Sequence, residues 1–133
     1  MSSLDFTDEI ESTNDLITLI NENPGVLVLK MGATWCGPCK KIKDVSQKNM
    51  VELKEMYKER VHIIEIDIDD SFEVYANLKT KRIVNGILAI LCWFKDNNEL
   101  RPSDFINDSD PNGVDLLFER CKKYLDTTTP LNL

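Results

Sequence analysis

The sequence has 133 residues, of which 42% are hydrophobic, and this is enough to build one ordinary core. We expect one domain over residues 1–133, with a core over about 4–125 and a tail over 126–133. The net charge of −7 argues against binding to nucleic acid or to an anionic membrane, because both need clustered Lys and Arg. No apolar stretch reaches the roughly 20 residues of a membrane span, and no signal-peptide pattern opens the chain. We therefore expect a cytoplasmic protein with protein partners.

The first half of the chain alternates between helical and strand patterns. Apolar residues over 16–20 recur at helical spacing after possible caps at 12–14, and the turn residues at 23–25 end this helix. Residues 26–31 form an apolar, β-branched run that predicts a buried strand. A second helix is expected over 36–57, starting at a pair of cysteines.

The second half continues in the same way. Residues 61–68 alternate as a strand, a short helix is expected over 72–78, and 87–94 form a second strongly apolar strand. Residues 100–106 predict an edge strand, because Pro102 cannot donate a hydrogen bond inside a sheet.

A polar loop over 107–113 and an apolar helical stripe over 114–125 complete the pattern. Alternating strands and helices predict an α/β fold, in which helices cover both faces of a parallel sheet. Sites in such folds lie at the carboxyl ends of strands, and the two cysteines follow directly after one.

The hexapeptide Trp35-Cys36-Gly37-Pro38-Cys39-Lys40 carries the clearest chemistry. A thiolate is the species that attacks a disulfide, and the start of a helix favours the negative charge of Cys36. Cys39 falls on the same helical face, one turn deeper, so Cys36 is expected to attack a substrate disulfide and Cys39 to resolve the mixed disulfide. The alternative is that both cysteines are small core residues.

This motif resembles the active site of the thioredoxin family, and the resemblance extends over about residues 4–125. It implies a thioredoxin fold, with a central mixed sheet of four to five strands flanked by helices on both faces. It also implies a protein-disulfide reductase that is recycled by a thioredoxin reductase, with the redox-active Cys36–Cys39 disulfide in place of a cofactor. Trp35, Gly37 and Pro38 would shape the site, and we expect a monomer.

Two prolines of the thioredoxin family are missing from this sequence. Thioredoxins carry a cis-proline at the start of the strand that faces the cysteines, where this chain has Ile87, Leu88 and Ala89. Because a cis bond without proline costs about 2.5–4 kcal/mol, we expect trans peptides here and a reshaped substrate groove. Asp44 replaces a proline that kinks the active-site helix in the family, so a straighter helix is expected.

A charge pair beneath the site differs as well. Thioredoxins have a buried Asp on the strand before the motif, paired with a Lys on the neighbouring strand. The corresponding residues here are Lys30 and Glu65, so the pair is reversed. An unpaired charge in a core strand is costly, and a lysine would favour a nearby thiolate. Alternatively, Lys30 reaches solvent at the strand end and has no role.

The remaining candidates are expected to be structural. Cys92 and Cys121 lie on apolar faces and are interpreted as core residues, and His62 as a strand-edge residue. No metal site is expected, because the ligands are irregularly spaced and the acidic run 65–70 lacks the spacing of a calcium loop. A metal or cluster shared between two chains has no positive support.

A second function stays open. In it, the fold and the dithiol persist, but the altered groove serves as a redox-regulated binding module for one protein partner. The missing cis-proline and the loop over 107–113 motivate this alternative.

Overall fold

The computed structural model describes residue 6 and residues 10–128. Within them the chain forms a mixed four-stranded sheet in the order β2, β1, β3, β4. The strands are β1 Val26–Gly32, β2 Val61–Asp67, β3 Ala89–Phe94 and β4 Asp104–Ile106. β1 runs parallel to β2 and antiparallel to β3, and β3 runs antiparallel to β4. The α/β class and the mixed sheet implied by the family resemblance are confirmed, whereas the parallel sheet predicted from the alternation of elements was wrong, because β3 runs antiparallel to both of its neighbours.

Helices flank this sheet. They are α1 Thr13–Asn21, α2 Gly37–Lys41, α3 Lys43–Tyr57, α4 Phe72–Thr80 and α5 Pro111–Thr127, with a short 3-10 turn over Lys58–Arg60. α3 packs against α5, and α1 packs against α4. None of the helices in the described part of the chain is long and apolar enough to cross a membrane.

β1 lies at the centre of the core. All of its residues are buried, and hydrogen-bonded strands lie on both sides of it. Its apolar residues explain this position, because full burial of one Val or Leu side chain stabilises a fold by about 1.5–3 kcal/mol. The chain leaves β1 at Gly32 and begins α2 at Gly37, so the cysteine motif lies at the carboxyl end of this central strand.

The expected helix over 36–57 is interrupted at Ile42, which ends α2 and precedes α3. The expectation of a straighter helix was therefore wrong, although Asp44 replaces the proline. Ile42 has a non-helical backbone (φ −107°, ψ 10°), and its side chain is completely buried. Because its carbonyl still accepts the Ser46 N–H at 2.9 Å, α3 continues directly after the interruption. Core packing of an isoleucine, and not a proline ring, marks the break.

The last helix is longer at both ends than the sequence pattern indicated. α5 begins at Pro111, where the Asp110 side chain accepts the Asn112 N–H at 3.1 Å, so residues 111–113 are helical and not loop. It runs to Thr127, and the Tyr57 hydroxyl donates to Asp126 at 2.6 Å. The predicted tail therefore does not begin at 126, and residues 129–133 lie outside the described part.

The predicted edge strand over 100–106 is reduced to β4. The Ser103 N–H still reaches the Cys92 carbonyl at 2.8 Å, next to the paired residues Cys92 and Asp104. Pro102 has no N–H to continue this ladder. The strand therefore starts only after the proline.

Candidate active site

Cys36 and Cys39 lie at the start of α2. Cys36 caps the helix with an extended backbone (φ −89°, ψ 116°), and its Sγ accepts the Cys39 backbone N–H at 3.2 Å. The two sulfurs are joined in a disulfide, with Cα atoms 5.3 Å apart. Pro38 fits in the first turn, because N–H groups there have no helical partner. The helix start therefore directs a backbone N–H donor at the Cys36 sulfur.

Gly32, the last residue of β1, lets Cys39 pack directly against the strand. A Cβ at residue 32 would lie 3.1 Å from the Cys39 Sγ, closer than an ordinary van der Waals contact. The sequence analysis did not identify this residue. A glycine inside a strand pattern is nevertheless a signal of close approach by another group, and here the approaching group is the sulfur.

Trp35 directly precedes Cys36 and is 57% exposed. Its indole N–H donates to the Asp69 carboxylate at 2.9 Å. Asp69 follows β2, and its own N–H is held by the Asp67 carboxylate at 2.8 Å. The acidic run was interpreted only as a strand that ends in solvent, so the sequence analysis missed that Asp69 orients Trp35.

Comparison with known proteins identifies the family. A sequence model of the family described as Thioredoxin matches residues 8–98. A thioredoxin from Ophiophagus hannah is 30% identical over 107 residues, which span 80% of this chain and 87% of that protein. The chain belongs to the thioredoxin family. "Thioredoxin Asp f 29" from Aspergillus fumigatus is 32% identical over 81 residues, which span 61% of this chain and 66% of the relative.

Solved structures confirm the thioredoxin fold. The thioredoxin Mala s 13 of Malassezia sympodialis superposes with a TM-score of 0.63 at 19% identity, covering 88% of this chain and 94% of that one. Mitochondrial thioredoxin 3 of Saccharomyces cerevisiae gives a TM-score of 0.60 at 20% identity, covering 86% and 94%. With the family established and Cys36 bonded to Cys39, the chain is a protein-disulfide oxidoreductase.

The segment that lacks the family's cis-proline lies at the same end of the sheet as the cysteines. Ala89 opens β3 and pairs with Met31, next to Gly32 in β1. Leu88 and Ala89 are buried, and Ile87 is half-buried. The described residues contain no cis peptide bond, so the peptides at 87–89 are trans as predicted. The reshaped groove stays a prediction.

Lys30 and Glu65 face each other across β1 and β2. The Lys30 Nζ lies 3.1 Å from the Glu65 Oε2, and the lysine side chain is 8% exposed against 35% for the glutamate. The alternative in which Lys30 reaches solvent at the strand end was wrong. Both residues line a solvent-open pocket of about 380 Å³ together with Cys39, so the ion pair lies in the same pocket as one of the two active-site cysteines.

The other candidates lie away from this site. His62 pairs with Leu27 near the start of β1, whereas Gly32 and the cysteine motif lie at its end. Cys92 and Cys121 are completely buried, as expected of core residues. The sequence analysis did not foresee that their sulfurs contact each other at 3.6 Å. Among the described residues, no group of three or more His, Cys, Asp or Glu side chains could hold a metal ion.

Proposed function

We propose that this chain reduces protein disulfides, with Cys36 as the attacking thiol and Cys39 as the resolving thiol. The observation that carries the proposal is the Cys39 N–H directed at the Cys36 sulfur at 3.2 Å, next to the exposed indole of Trp35. A hydrogen bond to sulfur favours its thiolate, which is the attacking species. Cys39 instead packs against the backbone of Gly32, a position that suits attack on Cys36 from within.

The proposed reaction has two exchange steps. The Cys36 thiolate attacks one sulfur of a substrate disulfide, a mixed disulfide forms, and the other substrate sulfur leaves and takes up a proton. Cys39 loses its proton and attacks the Cys36 sulfur, which releases the second substrate sulfur as a thiol. The substrate gains two electrons and two protons, and the Cys36–Cys39 disulfide remains. We propose that a thioredoxin reductase restores the dithiol, and that the chain works as a cytoplasmic monomer.

An insulin reduction assay with dithiothreitol as electron donor tests this proposal. Cys36→Ser should reduce turnover by at least about 100-fold, because a serine hydroxyl does not replace a thiolate in disulfide exchange. Cys121→Ala is the matched control, since it removes a cysteine outside the site and should keep the turnover. Equal turnover by wild type and Cys36→Ser would contradict the proposal.

We also propose that the reversed charge pair changes the resolving step. Lys30 and Cys39 line the same pocket, and a positive charge near a thiol favours its thiolate. Glu65 holds the Lys30 ammonium at 3.1 Å and partly offsets its charge. Lys30 makes and breaks no bond in this step, because the reacting atoms are the sulfurs. Its role is to place a positive charge near Cys39.

The rate of substrate release from a mixed disulfide, measured against pH, tests the role of Lys30. Lys30→Met removes the charge that favours the Cys39 thiolate, so its profile should move to higher pH by roughly 0.5–1 unit. Glu65→Gln should move the profile in the opposite direction. Lys48→Met is the matched control, because Lys48 is an exposed lysine of α3 outside the lining of this pocket, and its profile should stay that of the wild type. Identical profiles for wild type and Lys30→Met would end this idea.

The binding module remains the second candidate, and the proline-free segment at 87–89 is the observation that favours it. The loop that also motivated it is shorter than expected, since residues 111–113 belong to α5. Intact, fully reduced protein without insulin turnover, but with a partner that binds only one redox form, would support the module over the reductase.

A further inference from the structure

Cys92 and Cys121 form a second pair of sulfurs outside the active site. Cys92 lies in β3 and Cys121 in α5, both side chains are completely buried, and their Sγ atoms are 3.6 Å apart. A disulfide needs about 2.05 Å between the sulfurs, so an approach of about 1.5 Å would join them.

An ion pair joins α5, which carries Cys121, to β4, the strand that pairs with β3 beside Cys92. Asp104 in β4 is the register partner of Cys92, and Arg120 directly precedes Cys121 in α5. The Arg120 guanidinium donates to both Asp104 carboxylate oxygens, at 2.6 and 3.1 Å. Such a bidentate pair adds geometric specificity, so the neighbouring thiols are held close to each other.

This pair is separate from the active-site dithiol. Cys92 pairs with Val28 in β1, whereas Cys39 packs against Gly32 at the end of the same strand. With a rise of about 3.3 Å per strand residue, the two sites are roughly 13 Å apart along the strand. Disulfide exchange requires contact between sulfurs, so the Cys36–Cys39 disulfide of the same molecule does not oxidise the second pair.

We infer that Cys92 and Cys121 are a second oxidation site, at which a hydroperoxide converts the two thiols into a disulfide that links β3 to α5. One thiol loses its proton and attacks the peroxide oxygen, the O–O bond breaks, water or an alcohol leaves, and a sulfenic acid forms. The second thiol attacks the sulfenic sulfur, the S–S bond forms, and water leaves. The dithiol loses two electrons and two protons to the peroxide, and a reducing dithiol reverses the reaction.

Burial of the two thiols and their contact determine how fast, and how far, this pair is oxidised. The hydrogen bond with Cys121 and burial raise the pKa of Cys92, so the first step is slow in the folded protein. Once one sulfur is oxidised, the other lies next to it and reacts before a second peroxide arrives. The pair thereby stops oxidation in the core at a reversible stage and prevents sulfinic acid formation.

The test uses the Cys36→Ser/Cys39→Ser variant, whose remaining cysteines are Cys92 and Cys121. The protein is exposed to a range of hydrogen peroxide doses, at room temperature and at a few degrees below its Tm. It is then alkylated in denaturant, and its mass is measured by mass spectrometry. The expected product is lighter by two hydrogen atoms and carries no alkylated cysteine. It contains one linked Cys92–Cys121 peptide, and dithiothreitol converts it back to the dithiol. Its Tm should rise by about 5–10 °C, because the link closes a long loop.

The matched control adds Cys121→Ala, and it should gain oxygen atoms at Cys92 without forming the linked peptide. Oxidised wild type, in which Cys36–Cys39 is already a disulfide, repeats the experiment should the double variant fail to fold. Three outcomes would overturn the inference: complete alkylation of both thiols at every dose, oxygen gain in place of hydrogen loss, or a link between two chains. None of them bears on the insulin assay, so the reductase proposal stands or falls separately.

Discussion

The four cysteines of this chain form two pairs that lie in opposite surroundings. Cys36 and Cys39 are three positions apart at the start of one helix, beside an exposed tryptophan, and a backbone N–H donates to the first sulfur. Cys92 and Cys121 are 29 positions apart on a strand and a helix, and no solvent reaches them. Cys36 and Cys39 are themselves largely buried, at 6% and 7% exposed, so the two pairs differ mainly in the groups that face the sulfur.

This difference indicates that surroundings decide which thiols react. In the proposed mechanism a hydrogen-bond donor stabilises the thiolate at Cys36, whereas the hydrogen bond with Cys121 and burial raise the pKa of Cys92. Disulfide exchange needs both a thiolate and access. Cys36 and Cys39 retain only 6% and 7% exposure, beside the exposed Trp35, whereas Cys92 and Cys121 have none. We expect the second pair to be protected until a small oxidant reaches it.

Alkylation of the reduced protein with iodoacetamide at pH 8 gives the largest expected contrast. Cys36 should react at least about 100-fold faster than Cys92 or Cys121, because the completely buried thiols react only when the core opens. Mass spectrometry of peptides after timed quenching measures the three rates. In moderate urea the two buried thiols should accelerate together. Comparable rates for Cys36 and Cys92 in the folded protein would remove the distinction between the pairs.

Substitution of Gly32 tests how closely Cys39 packs against β1. Gly32→Ala places a Cβ 3.1 Å from the Cys39 sulfur, and overpacking of this kind should lower the free energy of unfolding of the oxidised protein by about 1–3 kcal/mol. Gly37→Ala is the matched control, because nothing lies within 4 Å of its added Cβ, and its effect should be within about 1 kcal/mol of zero. Urea unfolding measures both values, and equal effects would contradict close packing at Cys39.

Local patterns made much of this molecule predictable. The apolar runs located the strands, the spacing of Cys36 and Cys39 located the site, and the positions of Lys30 and Glu65 anticipated their ion pair. These features depend on neighbouring residues or on the alternation of a strand. They can therefore be recognised from the sequence alone.

Contacts between distant segments were not predictable in the same way. The hydrogen bond from Trp35 to Asp69 and the contact between Cys92 and Cys121 join residues that are far apart in the chain. The break at Ile42 depends on burial of its side chain, and no proline or glycine marks it in the sequence. Tertiary packing decides all three.

The most direct test of the central claim, that Cys36 attacks and Cys39 resolves, is to trap the mixed disulfide. The reduced Cys39→Ser and Cys36→Ser variants are each mixed with a disulfide-bonded peptide and quenched with acid. Mass spectrometry then detects any covalent adduct. We expect a stable adduct at Cys36 in Cys39→Ser and little adduct in Cys36→Ser. An adduct that accumulates equally at Cys39, or at neither residue, would contradict it.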